Sequence, residues 1–126
     1  MALNSYKKGA AFEVELAHFL SSKFGVEVKR TGTQESHKTH KGDVNAPIYA
    51  HSILSDFCWE AKNRESWAIL DWYKKVQEEN EGTPRIPVVV AKKNREGMYA
   101  FLSLEDFTRV LVELDGYRRE SKNNPE

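Results

Sequence analysis

Gly42-Asp43-Val44 and Trp59-Glu60-Ala61-Lys62 place an acid in one apparent strand and an acid-x-lysine in the next. Those residue types can hold a divalent cation and cut a phosphodiester. Side chains alternate across a strand, so Phe57, Trp59 and Ala61 share one face while Cys58, Glu60 and Lys62 share the other. If the chain reverses between Tyr49 and Ile53, an antiparallel hairpin brings Asp43 across from Glu60. Magnesium takes one or two carboxylates and keeps waters for the substrate and the nucleophile, so Asp43 and Glu60 are candidate ligands, with the Ala61 carbonyl as an extra one. Lys62, a compact mobile charge, can orient the attacking water and offset charge on the phosphate.

With 30% of residues charged, this spacing can arise without function. Glu13 adds weight to it. On a helix from Lys8 to Phe24, the residues Phe12, Leu16, Ala17, Phe19, Leu20 and Phe24 form an apolar arc, and Glu13 falls near its middle. A carboxylate on a core-facing stripe is costly unless it is paired, protonated or near a metal.

The elements that must position these groups are legible in outline. After the first helix, stopped by Gly25, residues 26–31 alternate weakly as a strand and a polar loop spans 32–41. Strands follow at about 43–49 and 56–63. Ser66 is the expected cap of a helix reaching Asn80, ended by Gly82-Thr83-Pro84, and Ile86 to Ala91 is a continuous apolar strand. Met98 to Leu102 is a further strand, and Ser103 caps a last helix, Leu104 to Leu114. Residues 1–115 read as a single domain and residues 116–126 as a polar, flexible tail. The order predicts an α/β fold: a central mixed five-stranded sheet flanked by helices, with a parallel, right-handed crossover through the second helix.

Composition limits the alternatives. The 126 residues suit one core, and no apolar run is long enough to span a membrane. The expected location is cytoplasmic, in a prokaryotic or virus-infected cell. Cys58 alone forms no internal disulfide and reads as a packing residue. His37, His40, His51 and Cys58 lack the paired spacing of a zinc site, and scattered glycines make no nucleotide-binding loop. A net charge of zero is unusual for a nucleic-acid partner, yet Lys29, Arg30, Lys38 and Lys41 gather around the segment entering Asp43. A basic loop beside an acidic metal site has the polarity a nuclease needs. The aromatic and aliphatic crowd on the second helix, Trp67 to Val76, exceeds one core stripe and is a candidate dimer surface.

The series Tyr6-Lys7-Lys8-Gly9-Ala10-Ala11-Phe12-Glu13, Val28-Lys29-Arg30-Thr31-Gly32-Thr33, Gly42-Asp43-Val44, Trp59-Glu60-Ala61-Lys62 and Ile86 to Val90 resembles the PD-(D/E)xK nuclease superfamily. Within it, the chain is similar to archaeal-type Holliday junction resolvases and their phage relatives. The resemblance implies a restriction-endonuclease-like core (α-β-β-β-α-β) and a homodimer acting in DNA recombination. It implies a magnesium-dependent endonuclease, with manganese able to substitute, that leaves a 5′-phosphate and a 3′-hydroxyl. Glu13, Asp43 and Glu60 match the metal acids and Lys62 the catalytic lysine; Lys8 and Arg30 match basic groups near the DNA backbone, where Thr31 and Thr33 are further candidates. Gly42 stands where that pattern has proline, and the segment between Asp43 and Glu60 is longer. The favoured substrate is a four-way junction; the alternatives are a linear-duplex or nicking nuclease of the same superfamily, or a silent DNA-binding module.

Overall fold

The computed structural model describes residues 2–31, 42–45 and 52–123. Helix α1 runs Ala2–Phe24, beginning upstream of the expected start at Lys8. Its inward stripe is narrower than the sequence suggests: Phe12, Leu16, Ala17 and Leu20 are buried, while Phe19 and Phe24 are exposed. Gly25 ends it as expected, with φ 67° and its N–H donating to the Ser21 carbonyl at 2.9 Å. The Ser21 hydroxyl then accepts from the Val28 N–H at 2.9 Å, turning the chain back along the helix.

Two short strands follow. Strand β1 (Lys29–Arg30) pairs antiparallel with β2 (Val44–Asn45), Arg30 opposite Val44. After a 3-10 turn at Ile53–Asp56, capped by the Ser52 hydroxyl accepting from the Leu54 N–H, strand β3 spans Phe57–Asn63. Helix α2 covers Ile69–Glu79. Ser66 does not cap it; the N-cap is Ala68, without a side-chain hydrogen bond, because the preceding turn is fixed instead by the Arg64 N–H on the Lys92 carbonyl at 3.0 Å. Its other end closes on buried Asn80, whose side-chain amide donates to the Val76 carbonyl at 2.9 Å.

Strand β4 (Ile86–Lys92) is β-branched over much of its length and buried from Ile86 through Ala91, so it takes the central position. It pairs parallel with β3, Glu60 opposite Val89, as the crossover through α2 requires, and antiparallel with β5 (Met98–Phe101). Helix α3 spans Leu104–Asn123; the Ser103 hydroxyl caps it by accepting from the Asp106 N–H at 3.1 Å, and it continues through Gly116, past the expected end at Leu114.

The fold is α/β, but the single five-stranded sheet expected is two sheets, β1-β2 and β3-β4-β5. One parallel bridge, Gly42 to Trp59, joins them, so β2 runs parallel to β3 and the expected antiparallel hairpin is not formed. Packing also splits by face. Phe12, Leu16, Leu20, Val44 and Val90, with Trp59 and Ala61, form the core under α1; Cys58, Tyr73, Val76 and Val89 form the core under α2. Tyr73 and Val76 are therefore core residues, while Leu70 of α2 and Trp67 ahead of it remain exposed. Among the described residues no helix is long and apolar enough to cross a membrane.

Candidate active site

The residue that joins the two sheets is Asp43. Its N–H donates to the Trp59 carbonyl at 2.7 Å, and its carbonyl accepts from the Thr31 N–H at 2.8 Å. In a continuing parallel ladder the next rung would run from the Ala61 N–H to the Asp43 carbonyl. Here the Ala61 N–H donates to the Asp43 carboxylate instead, at 2.8 Å. A side chain has replaced a rung, so the ladder ends and the acid is anchored against β3. This explains why the expected sheet is divided at this point.

Gly42 makes that approach possible. Its φ is 85°, and a Cβ there would lie 2.6 Å from the Trp59 carbonyl oxygen and 2.8 Å from the Trp59 nitrogen. Neither proline, with φ near −65°, nor any residue with a side chain fits. The glycine found in place of the motif's proline is thus part of how this chain positions its acid.

Alternation along β3 puts Glu60 and Lys62 on the face covered by α2. The Lys62 Nζ lies 3.7 Å from Glu60 Oε1, both side chains about one-fifth exposed, and 6.0 Å from the centre of the Trp72 ring. Burial pushes the Asp43 carboxyl up to about 6, against the lowering effect of the Ala61 N–H, with the Glu13 charge adding to the rise. Burial pushes Glu60 up to about 7, and the Asp43 charge raises it further while Lys62 lowers it. The two acids thus crowd negative charge into a poorly solvated place.

Glu13 comes from α1. On the α1 side it accepts from Arg30 Nε at 3.1 Å, a charge-assisted bond that satisfies the inward acid. Its charge also acts on the Asp43 carboxyl. Among the described residues no group of three His, Cys, Asp or Glu side chains is placed to hold a metal.

The expected DNA contacts are scattered. Lys8 lies 3.9 Å from Glu65 and Lys29 3.5 Å from Glu27, both pairs solvated. Thr31, expected at the DNA backbone, is buried, and its hydroxyl accepts from the Asn45 amide at 2.6 Å, so it serves the β1-β2 pair. Thr33, Lys38, Lys41 and the three histidines weighed for zinc fall outside the described residues. Cys58 is buried, and burial raises its thiol pKa, as suits packing better than nucleophilic chemistry.

Sequence reasoning missed Glu79, whose charge raises both Asp43 and Glu60, and Trp72, which lies beneath Lys62. The signal was available: Trp72, Lys75 and Glu79 repeat at helical spacing on one stripe of α2.

The pair fits a hard divalent ion. Two crowded carboxylates gain by sharing a divalent cation, for which oxygen ligands are suited. Trp59 and Ala61 turn their backbone polar groups to the β2 edge, so the Ala61 carbonyl shares that edge with the Asp43 carboxylate. A family model described as "Phage putative PDDEXK endonuclease" matches residues 4–122. No curated protein and no solved structure matches the chain.

Proposed function

The chain belongs to this phage PDDEXK endonuclease family, and from that premise we propose that it is a magnesium-dependent DNA endonuclease selective for branched DNA, foremost the four-way junction. Residues 1–115 would carry the nuclease as one domain, acting as a twofold homodimer, because symmetric incision of a junction calls for two sites. The observation that carries the chemistry is the Asp43 carboxylate anchored on the Ala61 N–H of β3, the strand that presents the Glu60–Lys62 pair.

In this reading Asp43 and Glu60 hold the ion, with the Ala61 carbonyl as a further ligand. A bound divalent ion would supply an acidified water as nucleophile and neutralise charge on the phosphate. The Ala61 N–H holds the Asp43 carboxylate in a fixed orientation, which lowers the cost of organising the site when substrate arrives. Lys62 has two tasks. Its ammonium counters the crowded acids before substrate binds, and it offers a donor to the attacking water and the phosphate oxygens afterwards. Trp72 below it keeps that ammonium close to the sheet. Glu13, engaged by Arg30 on the α1 side, would reach the ion through water. Lys8, Lys29 and Arg30, with Thr33, Lys38 and Lys41 of the adjoining segment, would draw the phosphates.

The test is cleavage of a labelled four-way junction with magnesium, beside a linear duplex and a single strand, by wild type and Glu60→Ala. We expect paired junction incisions that the variant abolishes, a fall of at least a hundredfold by analogy with loss of one preorganised electrostatic group (about 10²–10³). Equal cutting of the duplex would move the reading to a general nuclease. DNA binding without metal-dependent cutting would leave a silent binding module.

A further inference from the structure

Trp67 and Tyr99 face solvent, 40% and 57% exposed, and they touch each other: the ring centres lie 6.0 Å apart and the rings meet edge-on. Neither ring belongs to the two buried cores. Both are held in place. The Trp67 Nε1–H donates to the Arg64 carbonyl at 3.0 Å, and the Arg64 N–H donates in turn to the Lys92 carbonyl at 3.0 Å, which ties the ring to the end of β4. Tyr99 is fixed by its place in β5, opposite Ala91. Aromatic rings fixed at a wet surface are already organised for a flat partner.

Strand register places them beside the candidate site. Lys62 pairs with Ala91 and Ala91 with Tyr99, so the three form one cross-strand row on the face that carries Glu60. Ala91, small and buried, stands between the other two. Two strand spacings of about 4.8 Å put Tyr99 about 10 Å from Lys62, the length of about three stacked bases at roughly 3.4 Å each. Charge around the rings indicates the partner. In the segments that carry them, 62–67 and 92–99, Lys62 and Lys92 answer Glu60 and Glu15, and Glu65 lies against Lys8. That leaves Arg64, Lys93 and Arg95, which have no carboxylate within ion-pair distance among the described residues, against Glu96. An aromatic surface with surplus cations around it suits nucleic acid, whose bases offer flat faces and whose phosphates take the charge.

We propose that Trp67 and Tyr99 form a stacking platform for a nucleobase face that branching leaves uncovered. Inside a linear duplex every base is stacked on both sides, whereas the last pair of an arm at a branch has lost a neighbour. The platform therefore selects branched DNA over duplex and holds the branch a few nucleotides from the phosphate at Lys62. This deepens the branched-DNA reading and rests on it.

The test compares a four-way junction with a linear duplex, every end closed by the same hairpin loop so that no blunt end offers a base face. Fluorescence anisotropy in EDTA reads binding apart from cutting. We expect wild type to favour the junction and Tyr99→Ala to lose about 5- to 100-fold in junction affinity, the range for removing a base-stacking ring, with duplex affinity and far-ultraviolet circular dichroism unchanged. Tyr99→Phe should bind as wild type does, because stacking needs the ring and not the hydroxyl. A wild type that favours the junction while Tyr99→Ala keeps that preference overturns the platform and leaves the branched-DNA reading standing. A wild type that binds both DNAs alike overturns both. Equal loss on the two DNAs makes Tyr99 a general contact and overturns the platform, as does a change of sedimentation mass in Tyr99→Ala, which assigns the rings to a second copy of the chain.

Discussion

Position 42 combines a left-handed backbone with direct contact on Trp59, so a methyl group there meets both obstacles at once. Gly42→Ala should destabilise the protein by about 1–3 kcal/mol and abolish cleavage, because relief of the overlap moves Asp43 off β3. Thermal unfolding and a cleavage assay check both. The acids give a second prediction at this scale. Both carboxyls are raised on folding, from 3.8 to about 6 and from 4.5 to about 7, so the folded state binds protons more readily than the unfolded. Their contribution to stability is complete below about pH 4 and is lost as pH rises through 7. Metal-free protein should therefore lose melting temperature between pH 5 and 8, added magnesium should restore it most at the alkaline end, and Glu60→Gln should flatten the decline. A melting temperature rising over that range would contradict it. Alternation alone made Glu60 and Lys62 legible in the sequence. The need for glycine at 42 was not, since it depends on a contact with a strand many residues away.

The long elements were readable because each carries its own period. The inward residues of α1 recur at three and four, and β4 is apolar without interruption. Leu16→Ala should lower unfolding free energy by about 2–5 kcal/mol, measured by denaturant titration, because Leu16 sits fully buried in the core between α1 and the sheet. The strands β1 and β2 were less readable: two residues each carry no period, and what holds them is a pair of backbone bonds around Asp43 and Thr31. The end of α3 was misjudged at Gly116. Glycine inside a helix costs about 1 kcal/mol relative to alanine, and the Asp115–Arg119 ion pair at 2.9 Å spans the weak point. Ser66 failed as a cap because a tertiary bond from Arg64, invisible to local pattern, set the turn.

Over the whole molecule, nineteen basic and nineteen acidic residues cancel, so DNA affinity rests on where charges lie and little on their sum. Lys38→Ala and Lys41→Ala should each weaken DNA binding evenly across sequences and lower the salt slope by about one, read by fluorescence anisotropy over a salt series. A change confined to one sequence would assign them to base recognition. The nuclease superfamily was legible in the sequence because its motif is a matter of residue types in order. Glu13 shows where that legibility stops: its place in the motif was clear, but its bond to Arg30 depends on how α1 lies across the sheet.

The Ala61 amide hydrogen, bound to a carboxylate where a carbonyl would ordinarily receive it, makes the backbone itself an instrument. Its nitrogen-15 resonance will move as Asp43 gains or loses a proton and, under the proposed metal ligation, move again when a cation takes a share of the same oxygen. One cross-peak, followed through a titration without DNA or turnover, reads the readiness of the site.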